Sequence, residues 1–333
     1  MGKTIRNAIL LPSIFLNLIC DLRKQKEFMK HQIAPLLNKA KSNNDGSLTG
    51  KDFLKINKYY GLAVPAILGE AFCRLRGKHM TNSERWVSTS QGIITGLFDD
   101  FFDDLKLPKD YIISMVEQPE AITPKSSNEN LFLDFYLSAL HKAAHPELIK
   151  RQLLLVHMAQ VQSVEQENPT IDKKRIWEIT KLKGGHSVLF YRTAFDNVPV
   201  AGEKTALYQL GSLMQYENDL FDIYKDAKGN IATMPTTSVK VLELRALYNI
   251  QIKLFIELCY KMDYPNNQVE QFLNKVMPVI NRGFVCLDQY QQLEKRNGDE
   301  FDVASFSRKQ LICDMEKLQN LFRTLRYQLM NHY

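Results

Sequence analysis

Ile93-Ile94-Thr95-Gly96-Leu97-Phe98-Asp99-Asp100-Phe101-Phe102-Asp103-Asp104 carries an apolar run straight into four carboxylates. Upstream, Thr81 or Asn82 with Glu84 just beyond can cap a helix that reaches this acidic end, and Leu107-Pro108 stops it. On a helix, Asp99 and Asp103 lie one turn apart, as do Asp100 and Asp104. Carboxylates crowded into apolar surroundings repel one another and lose hydration, so they call for a compensating cation. Hard oxygen ligands suit Mg²⁺, which shares its shell with waters and substrate phosphates.

A second segment repeats the theme. Asn218-Asp219-Leu220-Phe221-Asp222-Ile223-Tyr224-Lys225-Asp226 follows apolar Leu207 to Met214. If Ala206 to Asp226 is one helix, Asn218, Asp222 and Asp226 form a stripe at i, i+4 and i+8, and Asn adds a neutral carbonyl ligand. Lys225 sits beside the stripe, able to meet a phosphate oxygen. Asp219 points elsewhere and is expected to hold a neighbouring Lys or Arg. The plain alternative for each segment is a solvated acidic helix face. Acids near a helix C-terminus oppose the dipole, which counts against that alternative for the first.

Helical periodicity recurs along the rest of the chain, and Gly (15) and Pro (12) are sparse enough to favour long helices. Residues 59–75 read as a buried helix despite Pro65. Further helices are expected at about 129–145, 146–167 and 172–194, the last interrupted by Gly184-Gly185. Others follow at 206–226, 238–262, 267–293 and 305–331. No repeat or linker splits the sequence. The expectation is an all-α fold, one domain over 1–333 with 1–50 as a helical extension of it, built as a bundle around a central apolar cavity.

Composition excludes several classes. The net charge of +6 has no concentrated basic stripe, so it suits an anionic small molecule or a weak membrane-surface preference and argues against nucleic acid. Five scattered cysteines without CxxC spacing point to reduced thiols in a cytoplasmic protein, with no zinc site. Lys3 and Arg6 precede an apolar run from Ala8 to Ile19. Pro12 and Asn17 interrupt it and no small-residue cleavage site follows, so a packed first helix is expected rather than export. No other stretch is apolar enough to span a bilayer, and no stable membrane insertion is expected. The Asn43-Asn44-Asp45-Gly46 turn resembles a calcium loop only faintly, because Lys41 stands where the first acidic ligand belongs.

The two acidic segments give the sequence a family resemblance. Asp99-Asp100-x-x-Asp103 resembles the DDxxD motif of class I isoprenoid (terpene) synthases. Asn218-Asp219-x-x-Asp222-x-x-Lys225-Asp226 resembles their NSE motif, with Asp222 in place of Ser or Thr and Asp226 in place of Glu. Asp222 also makes the segment similar to the second aspartate motif of prenyl-chain synthases. Gln215, Asn218, Asp222 and Asp226 fall at the spacing seen in squalene and phytoene synthases.

The resemblance implies Mg²⁺, three ions with Mn²⁺ as an alternative, held by Asp99, Asp100, Asp103, Asn218, Asp222 and Asp226. It implies a C10–C20 prenyl diphosphate substrate whose diphosphate leaves. Asp99, Asp103, Asn218, Asp222 and Asp226 would be the catalytic set. Arg175 (with Glu178), Lys183, Lys225 and the pair Arg326-Tyr327 would bind diphosphate. Phe98, Phe101, Phe102, Phe190, Tyr191, Phe195, Tyr216, Phe221 and Phe284 would line the cavity, with core packing as the plain alternative. His186 is a candidate base, with a structural role as its alternative. Homodimers are common among such proteins.

Terpene cyclisation or quenching is the leading reaction. Head-to-head condensation is the alternative supported by Gln215 to Asp226. Chain elongation is disfavoured because Leu105-Lys106-Leu107-Pro108-Lys109 stands where an Arg-Arg pair is usual. A lipid-diphosphate-binding protein without catalysis and a Mg²⁺-dependent phosphohydrolase remain as other classes.

Overall fold

The computed structural model describes residues 2–103 and 105–330, with the side chains of 2–10 and of Asp103 outside the description. Every regular element among the described residues is helical, as the periodicity implied, and none is a strand. None of the described helices is long and apolar enough to cross a membrane. The ten helices that matter below are α1 (Gly2–Phe28), α2 (Asn82–Asp103), α3 (Ser127–Lys142), α4 (Lys173–Arg192), α5 (Glu203–Phe221), α6 (Ile223–Lys228), α7 (Val241–Cys259), α8 (Asn266–Ile280), α9 (Arg282–Arg296) and α10 (Leu318–Met330).

The chain divides into two compact units. One comprises Ser13–Leu154 and Phe190–Val198. In it, α2 begins in a capping box: Glu84 N donates to Thr81 Oγ1 at 3.2 Å, and Thr81 N donates to Glu84 Oε2 at 2.8 Å. Its far end packs on α3 through aromatic rings, Phe98 stacking on Phe132 at 5.8 Å and Phe101 meeting Phe132 edge-on at 5.0 Å. The expected helix 59–75 is helical but not regular, with α-helix only at Gly61–Ala63 and from Glu70 onward. Residues 55–69 widen into two π-helical stretches, Lys55–Tyr60 and Val64–Gly69, the second containing Pro65, which has no N–H to donate. This segment lies so close to α2 that a Cβ on Gly92 would sit 2.4 Å from the Tyr60 carbonyl oxygen. Beside the cap, Arg76 is buried and donates to Glu84 (2.8 Å), Asp196 (2.9 Å) and Asn197 (3.0 Å).

The other unit comprises Met1–Pro12, Leu155–Leu189 and Pro199–Tyr333. Gly184-Gly185 does not interrupt its helix; α4 runs unbroken through both. The glycines serve a backbone crossing instead. A Cβ on Gly184 would lie 1.9 Å from the Gly211 oxygen, one on Gly211 would lie 2.0 Å from the Gly184 oxygen, and one on Gly185 would strike the Tyr208 ring at 2.4 Å.

Three other expectations change. The acidic helix ends at Phe221 and restarts at Ile223, with Asp222 at φ −91°, ψ 6° between α5 and α6. The expected helix 267–293 divides at Asn281, where Pro278 withholds a hydrogen bond and the Tyr248 hydroxyl donates to the Ile280 oxygen at 2.5 Å. The expected helix 305–331 is a short 3₁₀ turn, a four-residue helix and then α10. All five cysteines are free, four of them buried and Cys20 exposed.

Candidate functional site

At the end of α2, Asp99 is half-buried and lies 3.4 Å from the Tyr60 hydroxyl. Asp100 is buried and accepts a 2.7 Å hydrogen bond from Lys55 Nζ through Oδ1, while its Oδ2 is buried with no hydrogen-bond partner. Burial raises the Asp100 pKa to about 6 against the opposing pull of Lys55. Asp103 closes α2, but its side chain lies outside the described residues, as does Asp104. Tyr60 and Lys55 reach α2 through the tight Gly92 crossing. Neither was legible in the sequence, where they lie 39 and 45 residues from their partners.

In the other unit, the backbone bonding of the second segment survives its break: Asp222 N donates to the Asn218 oxygen at 2.8 Å, and Asp226 N to the Asp222 oxygen at 2.9 Å. The i, i+4, i+8 array therefore persists across the bend. Asn218 is exposed, Asp222 and Asp226 are half-buried, and Asn218 Nδ2 lies 3.4 Å from Asp222 Oδ2. Burial, then repulsion from Asp219 and Asp222, lifts the Asp226 pKa to about 7, with Lys225 and Lys183 pulling it back. Asp219 turns inward as expected, but hydrogen bonds hold it as well as a nearby lysine charge. It accepts from Gln215 at 2.8 Å and from Thr180 at 3.2 Å, and Lys183 offsets part of the burial that raises its pKa to about 6. Gln215 is thus a support for Asp219.

Arg175 and Tyr327, two of the other expected diphosphate ligands, are engaged within the same unit. Arg175 forks onto Glu165 at 2.8 and 2.7 Å, donates to Gln162 at 3.1 Å and reaches Glu178 at 3.4 Å. The Tyr327 hydroxyl donates to Asp288, which Arg245 also binds at 2.6 Å, and the Tyr327 ring stacks on Phe284 at 4.7 Å. Arg326 is exposed. His186 meets the Tyr208 ring edge-on at 5.4 Å, and burial lowers its pKa.

Most of the expected cavity aromatics are buried. Phe98, Phe101, Phe190, Tyr191, Phe195, Tyr216 and Phe284 are buried, and Phe102 and Phe221 are half-buried. Tyr191 bonds Thr95, and Phe195 packs on Phe72 and beneath Arg76. A cavity of about 1350 Å³ in the second unit is lined by Tyr224, Lys228, Phe301, Phe306 and Leu311 among others. Tyr224 and Lys228 lie on the side of α6 away from Asp222 and Asp226, two residues out of phase with them.

Glu217 is a buried carboxyl the sequence did not single out. It accepts from Arg282 Nε at 3.0 Å, and burial raises its pKa to about 7 despite that arginine. A carboxyl whose pKa rises on folding stabilises the folded chain below the ordinary carboxylate range, and that contribution is lost as pH rises through about 7. Stability should therefore fall between pH 5.5 and pH 8. In urea titrations at these two pH values, a Glu217→Gln chain should fall by about 2 kcal/mol less than the parent. Equal falls in the two chains would show that Glu217 titrates normally.

Among the described residues, no three His, Cys, Asp or Glu side chains are grouped to hold a metal ion. The donor chemistry nonetheless fits a divalent cation: Asp100 keeps an orphaned buried oxygen, and Asp226 carries repulsion that a cation would relieve. The chain matches no family model, no curated protein and no solved structure.

Proposed function

We propose that the protein is a Mg²⁺-dependent class I terpene synthase that ionises a C10–C20 prenyl diphosphate, cyclises or quenches the resulting cation and releases diphosphate. The observation that carries this reading is the Asn218, Asp222, Asp226 array, three oxygen ligands at one-turn spacing, with Asp219 and Asp222 repelling Asp226 and Lys225 and Lys183 near it. In this reading Asn218, Asp222 and Asp226 would hold Mg²⁺ in one unit and Asp99, Asp100 and Asp103 would do so in the other, and the metal would supply positive charge against the departing diphosphate.

The chain's own groups do the rest. Lys183 and Lys225 are the cations felt by Asp226, and in this reading they meet phosphate oxygens. Arg175 is held by Glu165 and Tyr327 by Asp288, which favours the two lysines as the phosphate contacts. Lys55 favours the charged form of Asp100, and Tyr60 orients Asp99.

The test is incubation with Mg²⁺ and geranyl, farnesyl or geranylgeranyl diphosphate, each with and without isopentenyl diphosphate, followed by mass spectrometry. One substrate alone should give a hydrocarbon or alcohol. Asp99→Ala and Asn218→Ala should each reduce turnover at least about 100-fold, as loss of transition-state charge stabilisation does. A longer diphosphate formed only with isopentenyl diphosphate would mean chain elongation, and a doubled hydrocarbon head-to-head coupling. Tight Mg²⁺-dependent binding without turnover would mean a sequestering protein.

A further inference from the structure

The last described helix is built inside out. Asn320, Thr324 and Gln328, at i, i+4 and i+8, are the buried face of α10. Their polar groups are satisfied locally: Asn320 Nδ2 donates to the Asp314 oxygen at 2.8 Å, Thr324 Oγ1 to the Asn320 oxygen at 3.0 Å, and Asn281 Nδ2 to Gln328 Oε1 at 2.6 Å. The apolar side chains point the other way. Leu318 is 71% exposed and Phe322 68%, with Leu321 and Met330 also exposed. At 100° per residue, Leu318, Phe322 and Leu325 fall within about 60° of one another. This is an amphipathic helix docked by its polar stripe, which leaves its apolar stripe to the outside.

Charge identifies what covers it. Arg326 borders the apolar stripe on one side, with Arg323 further round on that same side, and α10 itself contains no acidic residue, although Glu316 stands just before it. Lys317 precedes it, and Lys295 lies with both arginines around one cleft whose one carboxylate, Asp288, is already held by Arg245 and Tyr327. An apolar stripe edged by arginines matches the interface of an anionic bilayer, where such a helix lies in the plane with its cations at the headgroups. We infer that the outer face of α10, through Leu318, Leu321 and Phe322 with Arg326 beside them, docks the protein on anionic phospholipid membranes. This inference is independent of what the acidic segments do.

The test is co-sedimentation of the full chain with vesicles of phosphatidylcholine alone or with about one-third phosphatidylglycerol, checked by the emission of a Phe322→Trp chain. Binding should require the anionic lipid, weaken as salt is raised, and shift the new tryptophan's emission to the blue. Leu318→Ser combined with Phe322→Ser should lower the vesicle affinity at least about tenfold with unchanged thermal unfolding, because both side chains are exposed already. Arg326→Gln should weaken binding at low salt and have less effect at high salt. Three results would overturn the inference: equal binding to neutral vesicles, no binding to either, or a parent dimer that the double serine chain converts to monomer without any vesicle binding.

Discussion

A Gly184→Val chain should lose more than about 3 kcal/mol of stability, and Gly184→Ala should already be destabilised. In an ordinary helix the alanine would stabilise by up to about 1 kcal/mol, so the expected sign is opposite to helix propensity. The reason is steric. The new Cβ would sit 1.9 Å from the Gly211 oxygen and 2.6 Å from its carbonyl carbon, both backbone atoms that no rotamer change can move. Relief requires α4 and α5 to separate, which opens the packing around Trp177 and Tyr216, whose rings meet at 5.6 Å. Gly211→Ala should behave alike, because its Cβ would lie 2.0 Å from the Gly184 oxygen. Urea unfolding measures the effect. A Gly184→Ala chain as stable as the parent would show that the two helices part at little cost.

Arg76→Met should cost about 3–5 kcal/mol, the range seen when one member of a buried ion pair is removed. The arginine and Glu84 side chains are both buried, at 2% and 5% exposure. Removing the guanidinium leaves Glu84 charged and dry at the cap of α2, and frees Asp196 and Asn197 from the turn they anchor. Burial alone would raise the Glu84 pKa; Arg76 and the Thr81 N–H overcome it and hold it low. Arg76→Met combined with Glu84→Gln should recover part of the loss, since no uncompensated charge then remains. Additive losses in the double variant would contradict this account. The measurement is denaturant unfolding of the three chains.

Helix type was legible wherever a local signal sufficed. The Thr81 and Glu84 cap is a four-residue pattern, and it starts α2 as expected. The acidic segments were legible because one-turn spacing survives even the bend at Asp222. What the sequence hid depends on distant partners. Gly184-Gly185 looks like a break until Gly211 is opposite it. Lys55, Tyr60 and Arg282 reach their carboxylates across 45, 39 and 65 residues, and no periodicity encodes such pairings. Hydrophobicity says that a ring such as Phe98 or Phe195 is covered, not by what, and both are buried.

The polar seam beneath α10 has a thermodynamic consequence. Uncovering apolar surface raises heat capacity, whereas uncovering amide and hydroxyl groups lowers it. Lifting Asn320, Thr324 and Gln328 away from their neighbours uncovers mainly the second kind, against which the Tyr327 ring is the chief apolar loss. Opening of this helix would therefore leave almost no trace in a calorimetric scan. Amide exchange would report it instead, as a fast-exchanging segment on an otherwise protected unit.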